Sequence, residues 1–174
     1  MLRPVLSKNG IALAGEFAVL SQLLLRGFDA NMTLGNTKAV DILAVYPGSR
    51  RVFKLQVKTA LRNSQARSQR YLSWVMSDKN EHDVDLDLFY CLVSIDRSTY
   101  QYRFFILHSS TVALYLKHSH EHFLLDPRHV DNLVRQFRLA LEDTDYPIHT
   151  PLAKEHENLW GFPLPTDQGL APNS

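Results

Sequence analysis

Residues 39–59 read AVDILAVYPGSRRVFKLQVKT, and this stretch decides the fold. Two apolar runs flank a Pro-Gly turn, which is the pattern of a β-hairpin. Asp41 lies in the first run, and Gln56 and Lys58 lie two residues apart in the second. Because side chains alternate between the two faces of a strand, Gln56 and Lys58 are predicted to share one face. Polar side chains near the strand ends of a buried hairpin indicate a functional site.

Length and composition predict a globular domain. The chain has 174 residues, of which 45% are hydrophobic and 21% are charged, as in an ordinary soluble protein with a full core. Its single cysteine, Cys91, excludes an internal disulfide and fits a reducing compartment. No apolar run approaches the about 20 residues that span a bilayer, and the first ten residues lack a signal-peptide pattern. A cytoplasmic protein without a membrane partner is therefore expected.

Charge is segregated although the net charge is only +1. Seven basic residues fall in an acid-free segment of 21 residues: Arg50, Arg51, Lys54, Lys58, Arg62, Arg67 and Arg70. An acidic segment follows at positions 78–87. The basic segment is suited to phosphates of nucleic acid, because clustered Lys and Arg release its counterions. The alternative is a solvated surface balanced by the acidic neighbour, and charge alone does not separate the two.

A helix is predicted over residues 11–26, with Asn9 as its N-cap and Gly27 as the glycine that ends it. Its apolar stripe comprises Leu13, Phe17, Leu20 and Leu24. Glu16 lies at the edge of that stripe, so it is expected to border the buried face.

The remaining pattern alternates strands with short helices. Strands are predicted at 28–34, 71–77, 88–95 and 99–109, a turn at 34–38, a loop at 61–70, a helix after a Ser109 or Ser110 cap, and another helix over 131–141 with a stripe of Leu133, Phe137 and Leu141. The long apolar run at 88–95 suits a central strand covered on both faces. The fold class is therefore α/β (α+β), with a mixed, hairpin-rich central sheet flanked by helices.

The end of the chain differs in composition, since five of the eight prolines lie in the last 28 residues. We expect residues 1–145 to form the main domain and residues 146–174 to form a Pro-rich tail. Trp160 and Phe162 are expected either to pin this tail to the body or to contact a partner. A structural subunit that docks through this arm on a larger complex is one interpretation of the chain.

The hairpin residues form a chemically coherent set. If Asp41 lies near Gln56, a hard divalent cation fits between the carboxylate and the amide oxygen, with the carbonyl of Val57 as a third ligand. Mg²⁺ uses few protein oxygens and keeps several waters, so this sparse set is sufficient. Lys58 would orient the attacking water or neutralise developing charge, and Glu16 would supply a further carboxylate.

Three segments carry a family resemblance: GEFAVLSQLLLRGF at 15–28, VDILAV at 40–45 and FKLQVKTA at 53–60. Together they resemble the core of the PD-(D/E)XK nuclease superfamily, whose pattern is a helix Glu, a strand Asp and then Glu-x-Lys. Glu16, Asp41 and Lys58 match that pattern, while Gln56 replaces the usual acid and Val40 stands in place of proline. Glutamine at this position resembles Holliday-junction-resolvase-like, transposon-end-cleaving and some homing nucleases.

The resemblance implies a restriction-endonuclease-like core and an endonuclease that hydrolyses DNA phosphodiesters with Mg²⁺ (or Mn²⁺). It also implies a homo-oligomer, either a dimer or a tetramer. Catalysis would fall to Glu16, Asp41, Gln56 and Lys58. The DNA backbone would be contacted by Arg50, Arg51, Lys54, Arg62, Arg67 and Arg70.

Other interpretations of the same residues stay open. Asp41 and Lys58 form a plain ion pair in the simplest alternative, with Gln56 as a hydrogen-bonding filler and Glu16 in solvent. A catalytically inactive DNA-binding or protein-interaction module of the same fold is the main functional alternative, and Gln56 favours it. A zinc site at His118, His120 and His122 is disfavoured, because no second Cys or His pair lies nearby at zinc spacing.

Overall fold

The computed structural model describes residues 5–33, 40–63, 70–143 and 146–162. The turn predicted at 34–38 and Arg67 lie outside these residues. Among the described segments, no helix has the length and apolar character needed to cross a membrane.

The described chain forms a mixed sheet with helices on its faces. In chain order the elements are α1 (Lys8–Leu25), β1 (Asp29–Met32), β2 (Ile42–Val45), β3 (Val52–Arg62), β4 (Tyr71–Ser77), a 3₁₀ turn (Asp78–Glu81), β5 (Leu88–Asp96), β6 (Tyr102–His108), α2 (Ser109–Phe123), β7 (Val134–Ala140) and α3 (Ala153–His156). The central sheet has the order β1-β2-β3-β5-β6, in which only the β3–β5 pair is parallel. Strands β4 and β7 pair separately. The predicted α/β class with a mixed, helix-flanked central sheet is confirmed.

The central position of β5 is also confirmed. Residues 88–95 are all buried, and β5 lies between β3 and β6. Its alternate side chains enter two cores, one shared with α1 and one shared with α2, β4 and β7. A strand that is covered on both faces reads as a continuous apolar run, which explains the pattern in the sequence.

Helix α1 begins earlier than predicted. Ser7, not Asn9, is the N-cap, and its hydroxyl accepts a hydrogen bond from the Gly10 amide at 3.0 Å. Gly27 does end the helix, with a φ of +80°. The amide of Phe28 donates to the carbonyl of Leu23 in the Schellman pattern.

The predicted apolar stripe of α1 is wrong. The residues that face the sheet are Gly15, Val19 and Leu23. Three of the four predicted residues are exposed: Leu13, Phe17 and Leu24. The physical reason is the glycine, because it allows the helix backbone to approach β3 and turns the larger side chains away from it.

The helix predicted over 131–141 is wrong as well, since this region contains the strand β7. Burial alternates along it, with Arg135, Phe137 and Leu139 buried and Val134 exposed. Phe137 faces Trp74 across the β4–β7 pair. Leu133, the start of the predicted stripe, is 72% exposed. The sequence contains both a stripe of three apolar residues at helical spacing and an alternation of period two. The segment forms a strand because it pairs with β4.

Helix α2 is capped by His108 and not by Ser109 or Ser110. The Nδ1 atom of His108 accepts a hydrogen bond from the Ser110 amide at 3.2 Å. The helix continues through the histidine-rich segment to Phe123.

Residues 146–162 run back over the body of the protein. Trp160 and Phe162 are buried in the core shared with α1. The ring of Phe162 stacks on Phe53 with centroids 4.7 Å apart. Both aromatic side chains therefore anchor this part of the tail to the domain.

Candidate active site

Asp41 lies where β2 begins, directly beside β3. Its backbone amide donates to the Leu55 carbonyl at 2.8 Å, which extends the β2–β3 pairing by one residue. Its carboxylate Oδ2 then accepts the Val57 amide at 2.7 Å. The side chain of Asp41 thus continues the pairing along β3 after the backbone of β2 has ended. This bond holds the carboxylate at a fixed place and leaves its other oxygen for a ligand.

The polar groups of the Val57 backbone are directed toward the Asp41 side of β3. The amide and carbonyl of one strand residue point to the same side, and residues two apart share that side. Leu55 uses its carbonyl toward Asp41, so the Val57 carbonyl is directed to the Asp41 side too. The Val57 carbonyl is therefore directed toward the Asp41 side of β3, while the Val57 side chain is buried in the core.

Glu16 reaches the same place from α1. Its side chain is half-buried, and burial raises the pKa of its carboxyl, with a further increase from the charge of Asp41 and an opposing effect of Lys58. The charge of the Asp41 carboxylate on the sheet therefore acts on the Glu16 carboxyl on the helix. Such a pair favours a proton or a cation between them.

Lys58 completes the charged group. Burial lowers the pKa of its ammonium, while the charges of Asp41, Glu16 and Asp83 act in the opposite direction. A partly desolvated lysine surrounded by carboxylates is a frequent feature of catalytic sites. The structure thus brings Glu16, Asp41 and Lys58 into one electrostatic cluster.

Gln56 lies on the same face of β3 as Lys58, but its amide has a partner of its own. Its side-chain oxygen accepts a hydrogen bond from the Nδ2 atom of Asn80 at 3.3 Å. The same Nδ2 atom donates to the Tyr90 hydroxyl at 2.9 Å. Gln56 is 8% exposed and Asn80 is 5% exposed, so this contact is inside the protein.

The donor set fits a hard divalent cation. It consists of two carboxylates, one amide oxygen and one backbone carbonyl, all oxygen ligands of the kind that Mg²⁺ accepts. Across the described ranges, no three or more His, Cys, Asp and Glu side chains are grouped closely enough to hold a metal ion. A cation at this place would therefore depend on neutral oxygens in addition to Glu16 and Asp41.

Asp83 belongs to the surroundings of the site and was not predicted as a site residue. Burial and the charge of Asp85 raise the pKa of its carboxyl, while Lys54 and Lys58 oppose that increase. Its only signal in the sequence is the acidic segment after the basic one. Its proximity to Lys58 depends on the return of the chain from β4 to β5.

The predicted DNA-binding residues have different environments. Arg51 pairs with Asp87 at 2.5 Å, and Lys54 pairs with Asp85 at 2.6 Å. The acidic segment thus neutralises part of the basic segment, as the surface alternative expects.

The other described residues of that group are Arg50, Arg62 and Arg70. Arg62 donates to the Ser73 carbonyl and lies over the ring of Trp74 at 4.9 Å, and burial lowers the pKa of its guanidinium to about 10. Arg50 and Arg70 are exposed. Among the described members of the group, these two are the exposed ones.

The histidine cluster lies on α2. His120 contacts Asp131 at 2.8 Å, and the helix directs it away from the face that carries His118 and His122. The three histidines therefore do not share one face of α2.

Comparison with known proteins finds a distant likeness to a solved structure. No protein-family model matches the chain, and no curated protein matches it. A solved structure of a bacterial homing endonuclease is similar over 89% of this chain and 89% of its own, with a TM-score of 0.49 and 15% sequence identity. At this identity and score, the likeness assigns neither an activity nor a residue to the chain.

Proposed function

We propose that this protein is a metal-dependent DNA endonuclease of the PD-(D/E)XK type. Glu16, Asp41, the side-chain oxygen of Gln56 and the carbonyl of Val57 would hold Mg²⁺ or Mn²⁺. The observation that carries the proposal is the close approach of α1 to β3 at Gly15 and Thr59, the chain neighbours of Glu16 and Lys58, beside an Asp41 carboxylate that is held on the Val57 amide at 2.7 Å. A plain ion pair between Asp41 and Lys58 does not require the second carboxylate.

When bound, the cation would stabilise charge on the scissile phosphate and lower the pKa of a coordinated water. The residues of the chain position the ligand oxygens and neutralise the charge that develops on the phosphate. Asp41 is held rigid by the Val57 amide at 2.7 Å, which fixes one oxygen ligand before substrate arrives. Lys58 presents a partly desolvated ammonium to the attacking water and to the developing phosphorane charge.

DNA is the proposed substrate because exposed arginines lie just before the strand that carries the site and just before the strand that follows it. Arg50 precedes β3 and Arg70 precedes β4, and both are exposed. Guanidinium groups bind phosphate oxygens in a bidentate manner and displace counterions. The predicted dimer or tetramer and the cytoplasmic location stay predictions.

The second candidate is a catalytically inactive DNA-binding or interaction module. The observation in its favour is the Asn80–Gln56 hydrogen bond, which satisfies the amide oxygen without a cation. In this alternative, Gln56 marks the loss of a metal ligand and the fold is kept for binding.

Nicking of supercoiled plasmid with Mg²⁺ separates the two candidates. We expect cleavage by the wild-type protein, a loss of at least about a hundredfold in Lys58→Ala, and wild-type activity in Lys117→Ala. Lys117 is a matched control because it is an exposed lysine on α2. Equal cleavage by wild type and Lys58→Ala would refute the proposal of a nuclease. DNA binding without cleavage by either protein would support the inactive module.

A further inference from the structure

A short chain of buried hydrogen bonds fixes the direction of the Gln56 amide. It begins at the backbone amide of Ser77, which donates to Oδ1 of Asn80 at 3.0 Å. A peptide N–H can only donate, so the Asn80 atom beside it must be the oxygen. The Nδ2 atom of Asn80 consequently points in the other direction, toward Tyr90 and Gln56.

The orientation of Asn80 then decides that of Gln56. The NH₂ group of Asn80 has two protons and no lone pair to offer, and it lies 2.9 Å from the Tyr90 hydroxyl and 3.3 Å from the end of the Gln56 side chain. If the Gln56 nitrogen faced it, two donors would be opposed in a buried place, which is costly. Only the oxygen of Gln56 satisfies the contact.

From this chain we infer that Asn80 is a positioning residue for the proposed metal site. It holds the Gln56 amide with the oxygen on the Asn80 side, where one lone pair accepts the Asn80 proton and the second remains for the cation, and it prevents the exchange of oxygen and nitrogen by rotation. This inference rests on the proposed function. An amide has one oxygen and one nitrogen end, so a glutamine ligand needs such a restraint, whereas the glutamate of the usual pattern does not.

The orienting role of Asn80 can be tested because a carboxylate, unlike an amide, has two equivalent oxygens. In a Gln56→Glu background both ends of the side chain are oxygens, so rotation no longer exchanges a ligand for a donor. We therefore compare Mn²⁺ binding by isothermal titration calorimetry in four full-length proteins: wild type, Asn80→Ala, Gln56→Glu, and the double variant. Urea unfolding of each protein reports whether it is folded.

We expect Asn80→Ala to weaken Mn²⁺ binding about tenfold in the glutamine background, as for other residues that orient metal ligands. In the Gln56→Glu background the same change is expected to alter the affinity less than about twofold, because the introduced side chain needs no orientation. A merely structural role of Asn80 would weaken binding equally in both backgrounds. An equal loss in both, or no loss in either, would overturn the inference.

A measurement without metal separates failure of this inference from failure of the proposed function. The side-chain NH₂ signals of Asn80 are identified in ¹⁵N-resolved NMR spectra by their disappearance in Asn80→Ala. Because Nδ2 donates to the oxygen at position 56, Gln56→Glu is expected to shift one of these protons downfield at pH 8, since a carboxylate is the stronger acceptor. If no protein binds Mn²⁺ but this shift is seen, the metal site is wrong and the orientation of Gln56 is right. An unchanged Asn80 signal would overturn the orientation itself.

Discussion

Gly15 of α1 lies directly against Thr59 of β3, so close that a Cβ atom on Gly15 would stand 1.9 Å from the Thr59 hydroxyl oxygen. Both residues are chain neighbours of the candidate site: Gly15 directly precedes Glu16, and Thr59 directly follows Lys58. The close approach of these two backbones therefore sets the separation between the helix carboxylate and the strand ammonium.

Replacement of this glycine tests that relationship. Gly15→Ala is expected to push α1 away from β3, because the added methyl would also lie 2.9 Å from the Cβ of Thr59. We expect a loss of about 1–3 kcal/mol in the free energy of urea unfolding, together with reduced nicking, because Glu16 moves with the helix. Gly10→Ala is the control on the same helix, since its methyl would meet only the Ser7 hydroxyl at 3.1 Å. If Gly15→Ala is as stable and as active as Gly10→Ala, the contact does not set the geometry of the site.

The distinction between exposed and paired arginines predicts their effects on DNA binding. Arg50→Ala and Arg70→Ala are each expected to weaken binding and to reduce the salt dependence of log Kd by about one. Removal of the ion pair in Arg51→Ala/Asp87→Ala leaves the net charge unchanged, so it is expected to have little effect. Fluorescence anisotropy with a labelled duplex at several salt concentrations measures all of these variants. Equal slopes for every variant would show that Arg50 and Arg70 do not contact phosphates.

The burial of Phe162 predicts that the tail contributes to stability. Phe162 is 2% exposed and packs against Phe28, Phe53 and Phe89. Phe162→Ala is expected to lower the free energy of unfolding by about 3–5 kcal/mol. Phe17→Ala removes the same side chain from a place that is 58% exposed, and is expected to cost less than about 0.5 kcal/mol. Similar urea midpoints for the two variants would contradict the packing of the tail on the body.

A second contact of the tail has a defined pH dependence. Arg103 on β6 binds Glu157 through two hydrogen bonds of 2.8 and 2.9 Å, and this contact lowers the pKa of Glu157 below its ordinary value of 4.5. A carboxyl with a depressed pKa in the folded state stabilises that state above pH 4.5 and loses its contribution as the pH falls through the folded-state pKa.

Glu157→Gln is therefore expected to be about 1 kcal/mol less stable than the wild type at pH 7. The difference should shrink as the pH falls below 4.5, where the wild-type carboxyl gains its proton. Urea unfolding curves at pH 7 and at progressively lower pH measure it. A difference that stays constant over this range would exclude the ion pair as its source.

Strong local patterns made much of the fold predictable from sequence. The strand at 71–77 was predicted with the bounds that β4 has, and the buried run at 88–95 corresponds to β5. Alternation and continuous apolar runs are read directly from the chain because they reflect burial on one face or on two. The grouping of Glu16, Asp41 and Lys58 into a catalytic site stays a prediction.

The predictions that are wrong concern features that depend on contacts between distant segments. The large apolar residues of α1 predict the wrong face, because the small Gly15 decides which side approaches β3. The pattern at 131–141 predicts a helix, because pairing with β4 is not visible locally. Asn80 and Asp83 were not identified as site residues, since only the return of the chain after β4 brings them to Gln56 and Lys58.

The location of a bound cation tests the central claim most directly. Crystals grown with Mn²⁺ and measured at a wavelength suited to its anomalous signal would give its position without reference to activity. We predict an anomalous peak beside the free carboxylate oxygen of Asp41, within ligand distance of the Gln56 side-chain oxygen and the Val57 carbonyl, and its absence in Asp41→Ala. A map without a peak there, or with Mn²⁺ bound only elsewhere on the protein, would contradict the account.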